Sequence, residues 1–195
     1  MTTQRPRAAR IVLALVAAGA AGVAIVGLRQ HYAALRTWDV ARALGWLSGV
    51  CLVGALAITP LQRALRSPLL PALRRALGLA AASCGAVHAT AALLGLPGLA
   101  AMVLSAAWLR AGLAALLLLG LLFVTSFDTL LRRLRLQHWK ELHRLSYPAA
   151  LCVALHALLG PHGTPALELT FAGCVVFLLA LRICLALISK TNAPE

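Results

Sequence analysis

The sequence predicts an all-α fold: a polytopic membrane helical bundle of six transmembrane helices with both termini on the inner side. Three observations predict it. Hydrophobic residues make up 62% of the 195 residues and charged residues only 12%, about half the charged share of a soluble domain. The charges gather in short clusters between long apolar runs, as in a chain solvated by lipid. Arginines and lysines crowd onto alternate connections, which orients the spans. A net charge of +13 in a soluble protein would point to nucleic acid. Here it reads as topology signals and headgroup anchors.

An apolar run of about 20 residues crosses the hydrocarbon as a helix. Ile11 to Leu28 is the first such run. It follows Arg5, Arg7 and Arg10, and it is long for a signal peptide, with a poor cleavage signal after it. Ala43 to Leu61 is the second span, with Pro60 near its end, and Ala76 to Leu94 is the third. Gly95-Leu96-Pro97-Gly98 breaks the third, and the stretch up to Arg110, around Trp108, reads as an apolar loop or surface-lying segment. Ala111 to Phe127 is the fourth span and Leu145 to Leu159 a short fifth. Leu169 to Ser189 is the sixth, with Arg182 near enough to its end to snorkel.

Six spans put both termini on one side. With the N-terminus inside, the inner segments hold Arg5, Arg7, Arg10, Arg63, Arg66, Arg74, Arg75, Arg132, Arg133, Arg135, Lys140, Arg144 and Lys190. The outer loops hold only Arg29, Arg36, Arg42 and Arg110, so the asymmetry favours N-in and C-in. Residues 1–10 and 190–195 then form inner tails around one transmembrane domain, 11–189. Cys51, Cys84, Cys152, Cys174 and Cys184 all fall in apolar runs without a CxxC or CxxCH pattern. They read as small core hydrophobes, and no heme would be thioether-linked.

The histidines carry the chemistry. His31, His138 and His162 sit in connections and read as solvated or interfacial. His88 lies about 12 residues into the third span and His156 about 11 into the fifth. With both helices running outward, each histidine is about 17–18 Å from the inner edge of the hydrocarbon. An ionisable side chain at that depth is costly and is a functional candidate. One reading is two unrelated histidines, each hydrogen-bonded between helices. The other is a pair of axial ligands to one heme iron, which leaves no open position for oxygen and suits electron transfer.

His143 lies at the inner boundary of the fifth span, about 140° around a straight helix from His156. Pro148 stands between them and would kink or rephase the helix. His143 fits a second metal or cofactor site near the inner face, and equally an interfacial role. Arg74 and Arg75 lie at the inner mouth of the third span, where they suit a heme propionate or a flavin phosphate. Positive-inside anchoring explains them equally well.

Several short pieces then match in order and spacing, from about Trp46 to His156. They are Ile58-Thr59-Pro60-Leu61, Arg74-Arg75-Ala76-Leu77-Gly78-Leu79, His88, Thr125-Ser126, the run Trp139-Lys140-Glu141-Leu142-His143-Arg144-Leu145-Ser146-Tyr147, and His156. In these the chain resembles the heme-binding subunits of periplasmic protein-methionine-sulfoxide reductase systems, a branch of the ferric-reductase-like transmembrane proteins. The resemblance implies heme b, with one heme expected and a second open, and it places the family's histidines on His88, His143 and His156. Related ferric reductases hold two stacked hemes with four histidines; Arg74 stands here where the fourth would be. Ala89-Thr90-Ala91 and Ala157-Leu158-Leu159 replace the aromatic residues that often follow the first and last of those histidines. The resemblance alone implies FMN.

It also implies an inner-membrane electron-transfer subunit rather than a catalytic one. Only a few residues follow Ile188, so electrons are expected from the quinone pool or a separate flavin reductase. A periplasmic molybdopterin enzyme would accept them and reduce methionine sulfoxide in oxidised proteins, restoring an apolar side chain. Two alternatives stand beside this: a stand-alone b-type cytochrome or ferric reductase with another acceptor, and a non-redox transporter or assembly protein. The second is disfavoured because the sequence has no intramembrane carboxylate except Glu168, which sits at the outer edge.

The ligand assignment makes a spectroscopic prediction. Reduced-minus-oxidised spectra of the purified protein should show a low-spin b-type heme that is lost in His88→Ala and in His156→Ala. An unchanged spectrum in both variants would sink the assignment.

Overall fold

The computed structural model describes residues 37–126, 141–161 and 164–191. The expected first span, Ile11 to Leu28, lies outside them, as do His31, His138 and His162. The described residues form helices, with no strand among them. In chain order the helices are α1 (Thr37–Leu65), α2 (Leu70–Gly95), α3 (Leu99–Met102), α4 (Ala107–Val124), α5 (Ser146–Leu159) and α6 (Pro165–Thr191). A 3-10 turn, His143–Leu145, leads into α5. Four of these helices, α1, α2, α4 and α6, are long and apolar enough to cross a membrane. The protein is thus multi-pass.

The boundaries have local causes. α1 runs on past Pro60 and stops where Arg66 turns left-handed (φ 49°), its N–H donating to the Gln62 carbonyl at 2.9 Å. Ser67 and Pro68 follow, and a proline cannot continue the ladder. Pro71 sits in the first turn of α2, where its missing N–H has no cost. The break predicted at 95–98 is present, and Gly98 takes φ 83° there, which a side chain would resist. The stretch after it is more ordered than expected: α3 forms, and Trp108 belongs to the first turn of α4 rather than to a loop. The helix over the fifth predicted span has 14 residues, about 21 Å. That is shorter than a hydrocarbon core of about 30 Å.

α1 packs most extensively against α2, α4 packs against α5, and α6 closes on both α5 and α1. The shared core is rich in small residues. Ala80, Ala81, Ala149 and Ala150 let the helix backbones approach around Leu52, Leu56, Phe171 and Val175. The Ser48 hydroxyl donates to the Ala81 carbonyl at 2.7 Å and ties α1 to α2. Large apolar side chains such as Leu94, Leu117 and Phe177 point outward instead, as lipid solvation permits. Cys51 and Cys84 are core residues as expected. Cys174 and Cys184 are not: they are exposed on α6, among the lipid-facing side chains.

Arg182 departs from its expected snorkelling. It is only 8% exposed and turns into the bundle. Its guanidinium donates to the Tyr147 hydroxyl (2.9 Å), the Leu56 carbonyl (2.7 Å) and Thr59 Oγ1 (2.6 Å), so one side chain joins α6 to α5 and α1. The Tyr147 ring also lies 5.1 Å from its guanidinium carbon. Glu168 is likewise structural: it accepts from the Thr164 N–H (3.2 Å) and hydroxyl (3.3 Å) at the start of α6.

Hydrogen bonds between membrane helices contribute roughly 0.6 kcal/mol each. Arg182→Ala, which removes three of them, should therefore destabilise the protein by about 2 kcal/mol, read by thermal unfolding in detergent. An unchanged midpoint would show that Arg182 does not tie the bundle.

Candidate functional site

His88 projects from α2 and His156 from α5, so two different helix pairs must meet to bring them together. They do meet. The imidazole centroids are 6.0 Å apart, with the rings inclined at 75°. The equal depths counted along the sequence correspond to this contact. Each ring is also fixed from a further helix. His88 Nδ1 lies 2.6 Å from the Ala41 carbonyl oxygen of α1. His156 Nδ1 lies 2.8 Å from the Trp108 carbonyl oxygen of α4.

A carbonyl oxygen only accepts, so each Nδ1 carries the proton and donates. The neutral imidazole then has its lone pair on Nε2. This is the arrangement of a metal-binding histidine whose second nitrogen is anchored by a backbone acceptor. Each histidine is thus hydrogen-bonded between helices, and the two rings lie against each other.

A cavity of about 210 Å³ surrounds the pair. Trp38, Trp46 and Phe171 line it with aliphatic residues of α2, α4 and α5, and glycines and alanines keep it open. Trp108 lies beside His156, with ring centroids 5.6 Å apart and a tilt of 33°. Among the described residues, Arg42 is the one arginine or lysine in the lining. Ser48, also in the lining, donates its hydroxyl to the Ala81 carbonyl. The described lining is thus mostly apolar, with two imidazoles and one cation in it.

These residues fit a heme. Two imidazoles bound at about 2 Å on opposite sides of one metal ion have ring centres roughly 6 Å apart, close to the separation found. Their apolar surroundings would suit a porphyrin. No group of three or more metal-ligating side chains occurs among the described residues. The protein's own contribution would be the axial pair.

His143, Arg74 and Arg75 form a separate group. Arg74 is 14 residues before His88 on the unbroken α2, about 21 Å along the axis. His143 is half-buried in the turn before α5. Burial, and after it the Arg74 guanidinium, pull its imidazole below the ordinary histidine range, which favours the neutral form. Arg74 also lies within Coulombic reach of Arg182 and Tyr147. Arg75 donates to the Ser126 carbonyl and so ties α2 to the end of α4. His143 and Arg74 are thus neighbours, and neither joins the His88–His156 pair.

Sequence reasoning missed Ala41 and Trp108, which act through backbone oxygens, and Arg42, which had been placed in an outer loop. Any side chain can stand above a carbonyl acceptor, so Ala41 and Trp108 had no signal of their own. Arg42 had one, since it lies a turn from both Trp38 and Trp46.

Comparison with known proteins agrees with this architecture. Residues 43–154 match the family model for the ferric reductase like transmembrane component. The match includes His88 and His143 and stops just before His156. A stretch of 76 residues is 45% identical to the protein-methionine-sulfoxide reductase heme-binding subunit MsrQ of Rhodospirillum rubrum. That stretch covers 39% of this chain and 36% of the relative, so the chain spans about a third of that protein's length.

The separation of the two groups gives a prediction. His143→Ala should retain the b-type spectrum of the His88–His156 site, with the same band positions as wild type. Complete loss of heme in a normally accumulated His143→Ala protein would contradict the assignment.

Proposed function

The chain belongs to the ferric reductase like transmembrane family, and on that footing we propose that it is a membrane b-type cytochrome subunit passing electrons through heme to a methionine-sulfoxide reductase. The observation that carries this reading is the His88–His156 pair, 6.0 Å apart in an apolar cavity with both Nδ1 atoms anchored.

In this reading His88 and His156 would hold the heme iron. Heme, when bound, supplies a one-electron couple whose potential its ligands and surroundings tune. The chain's residues do the rest. The Ala41 and Trp108 carbonyls fix which imidazole nitrogen has the lone pair. The Trp38, Trp46 and Phe171 side chains keep water from the site and lower the local dielectric. A heme held by both histidines would suit electron transfer rather than oxygen binding.

The opposite end supports a second binding role. Arg74 lies within Coulombic reach of Arg182, and neither pairs with a carboxylate among the described residues. A cation surplus there, beside a neutral His143, suits an anionic group such as a heme propionate or an FMN phosphate. Whether that group belongs to a second heme or a flavin, it would stand on the side from which electrons enter.

The proposed topology has six spans with both termini inside, in the cell inner membrane. Electrons would come from the quinone pool or a flavin reductase. A periplasmic molybdopterin reductase would take them and repair oxidised periplasmic proteins. The similarity to the Rhodospirillum rubrum heme-binding subunit supports this acceptor.

Deletion of the gene in the native host should leave methionine sulfoxide to accumulate in periplasmic proteins after oxidant stress, read by mass spectrometry. Wild-type protein should restore repair, and His88→Ala at equal membrane level should not. Intact repair in the deletion strain would remove this acceptor while leaving the cytochrome reading standing.

A further inference from the structure

Both imidazoles rest on seats of the same construction. His88 donates to the carbonyl of Ala41, and four residues later on the same helix stands Gly45. A Cβ at Gly45 would lie 2.9 Å from His88 Nδ1 and 3.1 Å from its Cε1. His156 donates to the carbonyl of Trp108, and four residues later stands Gly112. A Cβ there would lie 2.7 Å from His156 Nδ1 and 3.0 Å from its Cε1. Two unrelated stretches, on α1 and α4, thus repeat one arrangement against two histidines from α2 and α5.

The arrangement has a physical reason. In a helix the carbonyl of residue i points toward residue i+4, whose N–H takes one of its lone pairs. The second lone pair remains for another donor. An imidazole reaching it must lie across the helix surface at position i+4. Only glycine leaves that surface clear. Real Cβ atoms essentially never stand within 3.0 Å of such a neighbour, so alanine at either position must displace the ring or the helix.

We propose that Gly45 and Gly112 are positioning residues for the two axial histidines, and that through the Ala41 and Trp108 carbonyls they set the reduction potential of the site. This rests on the bis-histidine reading above. A hydrogen bond from Nδ1–H to a backbone oxygen makes the imidazole a stronger electron donor and stabilises the oxidised iron. Losing it weakens that donation, so the potential rises. The electronic tuning therefore comes from α1 and α4, the helices that contribute neither histidine.

Glycines elsewhere in the bundle provide the control. A Cβ at Gly120 on α4, or at Gly78 on α2, would meet nothing within 4 Å. Alanine there should favour the helix and leave the histidines alone.

The test compares Gly45→Ala and Gly112→Ala with Gly120→Ala and Gly78→Ala in the purified, heme-loaded full chain. The readouts are the midpoint potential by spectroelectrochemistry and the EPR g-values of the oxidised protein. The first two variants should show a raised potential, altered g-values and heme affinity about 10- to 100-fold weaker. The other two should match wild type. If all four variants behave alike, the proposal is overturned.

A measurement on the wild type covers the case in which a variant fails to accumulate. In the reduced, diamagnetic form, ¹⁵N-histidine labelling should reveal two slowly exchanging, downfield Nδ1–H protons; finding neither overturns the proposal. Absence of low-spin heme from the wild type would instead refute the ligand pair itself.

Discussion

An imidazole inside a bilayer has to place its N–H on an acceptor, and the site depends on how that constraint is met. Water is not at hand, and an unsatisfied donor in hydrocarbon is costly. Here two helix carbonyls, of Ala41 and Trp108, take the two Nδ1 protons. That choice leaves Nε2 of each ring with its lone pair. It also requires α1 to lie against α2, and α4 against α5, which are the two most extensive helix contacts in the bundle. The fold and the chemistry of the site are therefore one requirement: helices that carry histidines are braced by helices that carry acceptors.

The two ends of the bundle solve opposite problems. Around His88 and His156 the lining is largely apolar, and His88, His156 and Ser48 are satisfied by backbone carbonyls. At the other end Arg182 is buried among neutral oxygens from Leu56, Thr59 and Tyr147, with Arg74 nearby. Neutral acceptors solvate a guanidinium but leave its charge uncompensated.

Much of this was legible in the sequence, and the exceptions have physical causes. Residue counts placed His88 and His156 at one depth because helical rise is nearly constant, whatever the neighbours. Apolar runs and the Gly95–Gly98 break located the helices, although α1 and α2 extend a turn or more beyond their apolar stretches because polar ends remain helical at a membrane surface. Trp108 was misplaced in a loop since the helix that holds it begins on small residues without a capping side chain. The inward turn of Arg182 was illegible: six residues from Ile188, it can reach either the interface or the core, and Thr59 and Tyr147 decide between them. Gly45 and Gly112 were invisible for a related reason. A glycine in a span reads as a generic small residue until the ring lying across it is known.

The central claim is that one heme iron is held between His88 and His156, and near-infrared magnetic circular dichroism of the oxidised protein tests it most directly. The energy of the porphyrin-to-iron charge-transfer band identifies the axial pair of a low-spin ferric heme without any mutation. A band at the bis-imidazole position is the result this account predicts. A band belonging to histidine–methionine or histidine–water ligation, or a high-spin spectrum, would contradict it.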